Sequence, residues 1–518
     1  MAHSNAKPLL SDTAVLILIA ILFTALHVST SGPYGFHRDE LATLDDARHL
    51  QWGFVAYPPL TPAAGRFGLA LFGVSTLGIR ILPILALAFA VVLSGLMARE
   101  LGGSRKAQIL TTLAVAIVPI VSIQTTVLQY VSFDYLWGVL FTYLLIRLLN
   151  SVDLNPMRPD PDVNSEETRW WVTIGATIGL GMMTKYTMAF FAVGLVAGVL
   201  ATRIRRHLLS PWLWAGFAIS LLIFLPNLIW QIQHHFISLD FLRHIHARDV
   251  LAGRTRGFLP EQLYVCVSAA LAPLAFMGLW FYFAERERKY RLLGFTFVFT
   301  LALFLVAQAR SYYLGPLYPM LLAAGSVMWE RWVVRSSRKS ALTIQGITWF
   351  LVATSAITSF ALCTPIAPIH SAIWEATSRL QDNFKEEIGW TDLVATVSQV
   401  YSSIPANERT GTGIIVGNYG EAGAINLLGQ KYDLPPAISG TNSAWYRSYP
   451  KNEPQTLIAV GLSDDFLKEH FEHCQLAAHN TNSYGVMNEE SRDHPDIYVC
   501  RHLLQPWPEF WKHFQRFG

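Results

Sequence analysis

Long apolar runs recur along the first two thirds of the chain and then cease. The first covers residues 13–27, and others start near Ile79, Ile109, Val127, Trp170, Met188, Pro211, Leu263, Leu292, Tyr312 and Ala341. A bilayer core about 30 Å thick takes roughly 20 residues of α-helix, so this pattern predicts about eleven transmembrane helices. The runs after Ile109, Trp170 and Met188 are short for a full crossing. One cation, Lys7, precedes the first run, which reads as an uncleaved anchor because so many spans follow it. The stretch DLNPMRPDPDVNSEE at 153–167 reads as a flexible inner loop. Beyond residue 363 the composition becomes ordinary: GIIVG at 413–417 and TLIAVGL at 456–462 read as strands, the second followed by the helical DDFLKEHF. The expected architecture is an α-helical polytopic membrane domain over residues 1–363 and a small α/β domain over residues 364–518.

Composition agrees with this reading. Of 518 residues, 52% are hydrophobic and 14% charged, which lies outside the usual range for a soluble protein. A net charge of +3, spread in short clusters, does not suggest a nucleic-acid partner. The placement of the cations matters more, because cytoplasmic loops hold an excess of Lys and Arg. With the N-terminus inside, the inner loops take Arg99, Arg105, Lys106, Arg158, Arg169, Arg203, Arg205, Arg206, Arg286, Arg288, Lys289, Arg291, Arg331, Arg335, Arg338 and Lys339. An odd number of spans then puts segments 31–78 and 231–262, and the whole of 364–518, outside. The four cysteines show no metal-ligand spacing, so no zinc site is expected. Cys474 and Cys500 both fall in the outer domain, where an oxidising compartment would let them pair.

Candidate chemistry concentrates on the outer side. In FHRDEL at 36–41, Asp39 and Glu40 sit beside a membrane face, where charge is costly and is kept mainly for a task. Glu40 either raises the pKa of Asp39 by like-charge repulsion or holds a backbone group or a cation, and an Asp–Glu pair can also hold a divalent cation. Just two cations break the charge rule in the short outer turns: Lys185, followed by Tyr186, and Arg310, followed by Tyr312 and Tyr313. A cation beside phenols at headgroup depth suits a lipid phosphate. Taken singly, either reads at least as well as part of the aromatic belt; together, on the side of Asp39, they favour the phosphate seat. Asp134, in QYVSFDYLW, lies inside an apolar run. It either pairs with Lys185 or an outer arginine to hold helices together, or orients a catalytic group. His246 and Arg248 stand in the His- and Arg-rich segment 231–262 and are candidates for touching substrate, against the commoner role of a headgroup-facing loop.

The DE pair after the first run, YPPL at 57–60, the Asp of FDYLW, GLGMMTKYT and RSYYLGPLYPML, in this order, resemble the GT-C glycosyltransferases of family 39. That family holds the protein O-mannosyltransferase-like enzymes and the bacterial aminoarabinose transferases that modify lipid A. The resemblance covers residues 10–335, and GNYGEAGAINLLGQKYDLPPAISGTNSAWYR resembles the outer domain of many bacterial members. It implies an inner-membrane enzyme that moves a sugar from a polyprenyl-phosphate donor to a hydroxyl of a lipid, glycan or protein acceptor on the outer face, with inversion. It also implies Asp39 as general base with Glu40 beside it, Asp134 as a second acid, and Lys185, Arg310, Tyr312 and Tyr313 near the donor phosphate, where the residue pattern itself adds Tyr186. Arg310 departs from the pattern, since a lysine is common there in relatives; arginine binds phosphate oxygens bidentately. A membrane transporter or lipid flippase is the alternative class, against which stand the lack of an internal repeat and the crowding of charged features on one side.

Overall fold

The computed structural model describes residues 10–151 and 165–518; Lys7, Arg158 and most of the loop expected at 153–167 lie outside the described residues. The chain opens with α1 (Asp12–Thr30), two shorter helices, α2 (Arg38–Arg48) and α3 (Leu60–Phe72), and the long α4 (Thr76–Glu100). There follow α5 (Arg105–Ala116), α6 (Pro119–Gln124), α7 (Tyr130–Ser151), α8 (Ser165–Met182), α9 (Met188–Ala201), α10 (Pro211–Gln233) and α11 (Ile237–Leu251). The helical part closes with α12 (Phe258–Glu261), α13 (Ala272–Phe283), α14 (Arg291–Val306), α15 (Tyr318–Arg335) and α16 (Arg338–Cys363).

Among the described residues six helices are long and apolar enough to cross a bilayer, or eight if each of two bent pairs is one span. The polytopic membrane class holds; of the other apolar runs, α5 and α6 are short helices, and α8 and α15 reach 18 residues but carry charged ends. α5 has 12 residues, about 18 Å of helix.

Close helix packing rests on glycine. A side chain at Gly175 would strike the Gly216 carbonyl, joining α8 to α10, and one at Gly278 or Gly325 would strike the facing backbone between α13 and α15. Hydrocarbon solvent supplies little drive to bury apolar surface, so such backbone approach, with its dispersion contacts, holds helices together. Polar contacts segregate to the two ends of the bundle. At one end Arg105 meets Asp12 at 3.7 Å, Arg147 meets Glu100 at 3.6 Å and Arg331 meets Glu287 at 2.6 Å. At the other end Arg80, at the start of α4, and Asp134, at the start of α7, meet partners from α2 and from the turn after α8.

Beyond α16 come α17 (Ala372–Leu380), α18 (Asn383–Glu386), α19 (Trp390–Ser403) and α20 (Ala406–Arg409), then a five-stranded sheet. Its strands are β1 (Thr412–Val416), β2 (Ala437–Ser439), β3 (Thr456–Val460), β4 (Phe471–His479) and β5 (Asp496–Leu503), in the order β2-β1-β3-β5-β4. β1 runs parallel to β2 and β3, while β5 is antiparallel to both its neighbours. Between β1 and β2 lies α21 (Tyr419–Leu428), started by a capping box in which Asn418 accepts from the Glu421 amide at 2.9 Å and Glu421 reaches back. Cys474 and Cys500 face each other across β4 and β5 and form a disulfide. The sheet domain shares a core with the bundle end: Leu41 and Leu44 of α2, Ile79 and Leu128 pack with Val394, Val397, Ile414 and Ala424. Each fully buried large aliphatic side chain there contributes about 1.5–3 kcal/mol, so α2 is fixed from both sides.

Candidate active site

α2 positions two adjacent carboxylates in opposite directions. His37 caps the helix, its Nδ1 accepting from the Asp39 amide at 3.1 Å, and Glu40 turns back to accept from the His37 amide at 2.8 Å. That turn buries Glu40 completely. There it accepts from Arg80 Nε at 2.8 Å and Nη2 at 2.6 Å, and from the Leu128 amide at 2.8 Å. Of the two roles open to Glu40, the geometry is that of holding a cation and backbone groups. Asp39 faces the other way, 29% exposed, and Gln129 Nε2 donates to its Oδ2 at 2.6 Å. The pair therefore does not converge on one point. Among the described residues no group of three or more His, Cys, Asp or Glu gathers to hold a metal ion.

Asp39 lines a cavity of about 390 Å³ at this end of the bundle, and Lys185, Tyr186, Arg310, Tyr312, Tyr313, His246 and Arg248 line it too. Lys185, from the turn between α8 and α9, is 8% exposed, and its Nζ has no hydrogen-bond partner among the described residues. It lies 5.0, 4.6 and 4.0 Å from the ring centroids of Tyr130, Tyr312 and Tyr313, contacts that stabilise a cation. Burial pushes its amine below the ordinary lysine value; Asp134 opposes that shift and Arg310 adds to it. Asp134 does not line the cavity. It sits behind Lys185, 4.0 Å from Nζ, and accepts from the Thr187 hydroxyl at 3.1 Å. Arg310 is held by Asp249 of α11, to which Nε and Nη2 donate at 2.6 and 2.8 Å. The Tyr186 hydroxyl is engaged away from the cations, with Asn227 at 3.2 Å and Gln231 at 2.8 Å. His246 and Arg248 are exposed on α11. A wider cavity of about 900 Å³ reaches the same point from the other side, and Asp39, Arg248, Arg310 and Tyr312 border both.

Several site residues escaped sequence reasoning. Gln129 and Tyr130 precede Asp134 in the same apolar run and carry no charge to mark them. Asp249 lay inside the His- and Arg-rich segment, where it is the one buried carboxylate. The sheet domain contributes Tyr419 and Arg447, which line the cavity together with Asp39. Asp46 was readable: it follows Asp39 by two helical turns, with Thr43 between them on the same face.

Residues 56–230 match the family model described as dolichyl-phosphate-mannose-protein mannosyltransferase. Undecaprenyl phosphate-alpha-4-amino-4-deoxy-L-arabinose arabinosyl transferases are similar over longer stretches. One from Pseudomonas aeruginosa is 26% identical over 385 residues, 69% of this chain and 67% of its own length. One from Pseudomonas fluorescens is 25% identical over 300 residues, 54% of this chain and 51% of its own. The chain thus spans about half to two thirds of the curated relatives it matches. Among solved structures, ArnT from Cupriavidus metallidurans bound to undecaprenyl phosphate superposes with a TM-score of 0.57 at 16% identity, over 94% of this chain and 97% of that one. The arabinofuranosyltransferase AftD from Mycobacteria gives 0.53 at 13% identity, over 95% of this chain and 40% of that one. With a charged cavity at one end of a helical bundle and a sheet domain packed over it, the chain is a polytopic membrane protein that shares the GT-C fold of these two structures.

Proposed function

We propose that the protein is an inner-membrane glycosyltransferase that moves a sugar from a polyprenyl-phosphate donor to an acceptor hydroxyl of a lipid, glycan or protein on the outer face. The observation that carries this is the shared cavity, with the Asp39 carboxylate on one wall and the buried, unbonded Lys185 amine on another. A polyprenyl-phosphate sugar with its phosphate against Lys185 and Arg310 brings the anomeric carbon of the sugar toward Asp39. The acceptor hydroxyl enters through the wider cavity, gives its proton to Asp39 and attacks the anomeric carbon. The bond from that carbon to the phosphate oxygen breaks, and the phosphate leaves with the electron pair. Lys185 and Arg310 neutralise the charge that develops, an electrostatic role preorganised by Asp134 and Asp249. Attack opposite the phosphate inverts the centre. Gln129 aims the base, and Glu40, through Arg80, holds the start of α2 in place.

Eleven crossings suit this reading: the eight long or bent spans, plus α5 with α6, α8 and α15. The N-terminus then lies inside, and residues 364–518 form the outer domain behind a membrane domain of residues 1–363. The gathering of Arg105, Arg147 and Arg331 at the end opposite the cavity supports that orientation. A transporter would need a polar path leading from the cavity to that opposite end, and the charged groups of the site keep to one end.

Asp39→Asn tests the function, since it keeps the Gln129 contact within reach and removes the base. Turnover of undecaprenyl-phosphate sugar by the purified protein is expected to fall by about 10²- to 10⁴-fold, with binding of the carrier lipid kept. Turnover within tenfold of the parent would remove Asp39 as the base.

A further inference from the structure

One end of the donor cavity is built by two parts of the chain that are far apart in sequence. Asp39, Thr43 and Asp46 present one face of α2 along it, and Asp46 stands about 10 Å from Asp39 by helical rise. Opposite Asp46 the wall belongs to the sheet domain: Asn442, Ser443 and Arg447. Arg447 bridges Asp45 and Asp46, and Tyr57 donates to the other Asp46 oxygen at 2.8 Å. Asn442 lines the cavity from a left-handed backbone with φ at 52°, a conformation asparagine tolerates. The two ends of the cavity differ in chemistry. The end at Lys185 and Arg310 offers cations and aromatic rings, fit for a phosphate and a lipid chain. The end at Asp46 offers an arginine, carboxylates, an amide and hydroxyls within a small volume, the mixture of donors and acceptors that reads neighbouring hydroxyl groups.

We propose that this second end, Thr43 and Asp46 of α2 facing Asn442 and Arg447 of the sheet domain, binds the polar groups of the donated sugar. The outer domain then selects which sugar is transferred. The proposal rests on the donor reading above, because the phosphate at Lys185 and Arg310 sets where the ring begins. It goes further in giving the sheet domain a share, with α2, in recognising the sugar. Buried polar groups matched to a sugar reject one that leaves them unpaired, which is how such a wall discriminates.

The test compares bare undecaprenyl phosphate, undecaprenyl-phosphate mannose and undecaprenyl-phosphate 4-amino-4-deoxy-arabinose as ligands of the purified full chain. The parent is expected to bind at least one glycosylated lipid about tenfold more tightly than the bare lipid. In Arg447→Lys and in Thr43→Val that preference should fall to within twofold, while affinity for the bare lipid stays within twofold of the parent. Thr43→Val keeps the side-chain volume, so it reports even if Arg447→Lys loosens the domain contact. A preference kept in both variants overturns the proposal, as does an equal loss of affinity for all three lipids. A parent that binds the bare lipid with no preference also overturns it and leaves the phosphate seat standing. A parent that binds none of the three overturns the donor reading itself.

Discussion

Replacing Lys185 by methionine separates a binding role from a structural one. Lys185 and Asp134 are 8% and 1% exposed and stand 4.0 Å apart. At that separation two unit charges interact by about 4 kcal/mol at an effective dielectric of about 20, and a phosphate seated on the amine would feel a similar field. After desolvation, a hydrogen bond to a charged group contributes about 1.5–3 kcal/mol, so loss of the amine should raise the Kd for undecaprenyl phosphate about 10- to 150-fold. The single variant also strands Asp134, whose remaining side-chain partner is the Thr187 hydroxyl, and breaking a buried pair in this way costs about 3–5 kcal/mol of stability. Lys185→Met with Asp134→Asn removes both charges. The double variant should regain most of the lost thermal stability in detergent and none of the lost affinity, read by melting temperature and by titration with the carrier lipid. If its Kd returns to within threefold of the parent, Lys185 is a structural partner of Asp134 and the phosphate seat is refuted.

Two further outcomes concern residues 364–518. Glu387 is buried, and that burial together with the nearby Glu40 raises its pKa to about 8 against the pull of Arg80. Because the folded value exceeds the unfolded one of about 4.5, the proton is held in the folded state, and the stabilisation it brings is complete at acid pH and lost as pH rises through about 8. Melting temperature should therefore fall between about pH 5 and pH 8, and Glu387→Gln should flatten that slope; an unchanged slope would contradict the assignment. The Cys474–Cys500 disulfide closes a loop 26 residues apart in sequence, which by chain entropy contributes about 3 kcal/mol. Cys474→Ser with Cys500→Ser should lower the stability of the sheet domain by that order while leaving the α-helical signal of the bundle, as followed by circular dichroism and limited proteolysis.

Much of this protein is legible in one dimension because membranes make charge expensive. Apolar runs marked the bundle, and the rare exceptions within or beside them, Asp39, Asp134, Lys185 and Arg310, were the groups that the fold brings to one end. A local cost leaves a local mark, so those positions stood out without knowledge of their partners. The role of Glu40 had no such mark. It was decided by Arg80, 40 residues on, and by the capping turn that swings the side chain away from Asp39. The hold of Asp249 on Arg310 and the bridge of Arg447 to Asp45 and Asp46, 402 and 401 residues apart, were equally silent, since ordinary charged residues in polar stretches cost nothing until packing buries them. The shortfall in long spans has a related cause: hydropathy measures how apolar a run is, and where a helix stops depends on caps, prolines and neighbours. The sequence by itself determined the solvent each segment faces and which charges stand out against it. Which partner each charge meets, and that the sheet domain closes the cavity, only the tertiary structure decided, because those contacts depend on the packing of segments hundreds of residues apart.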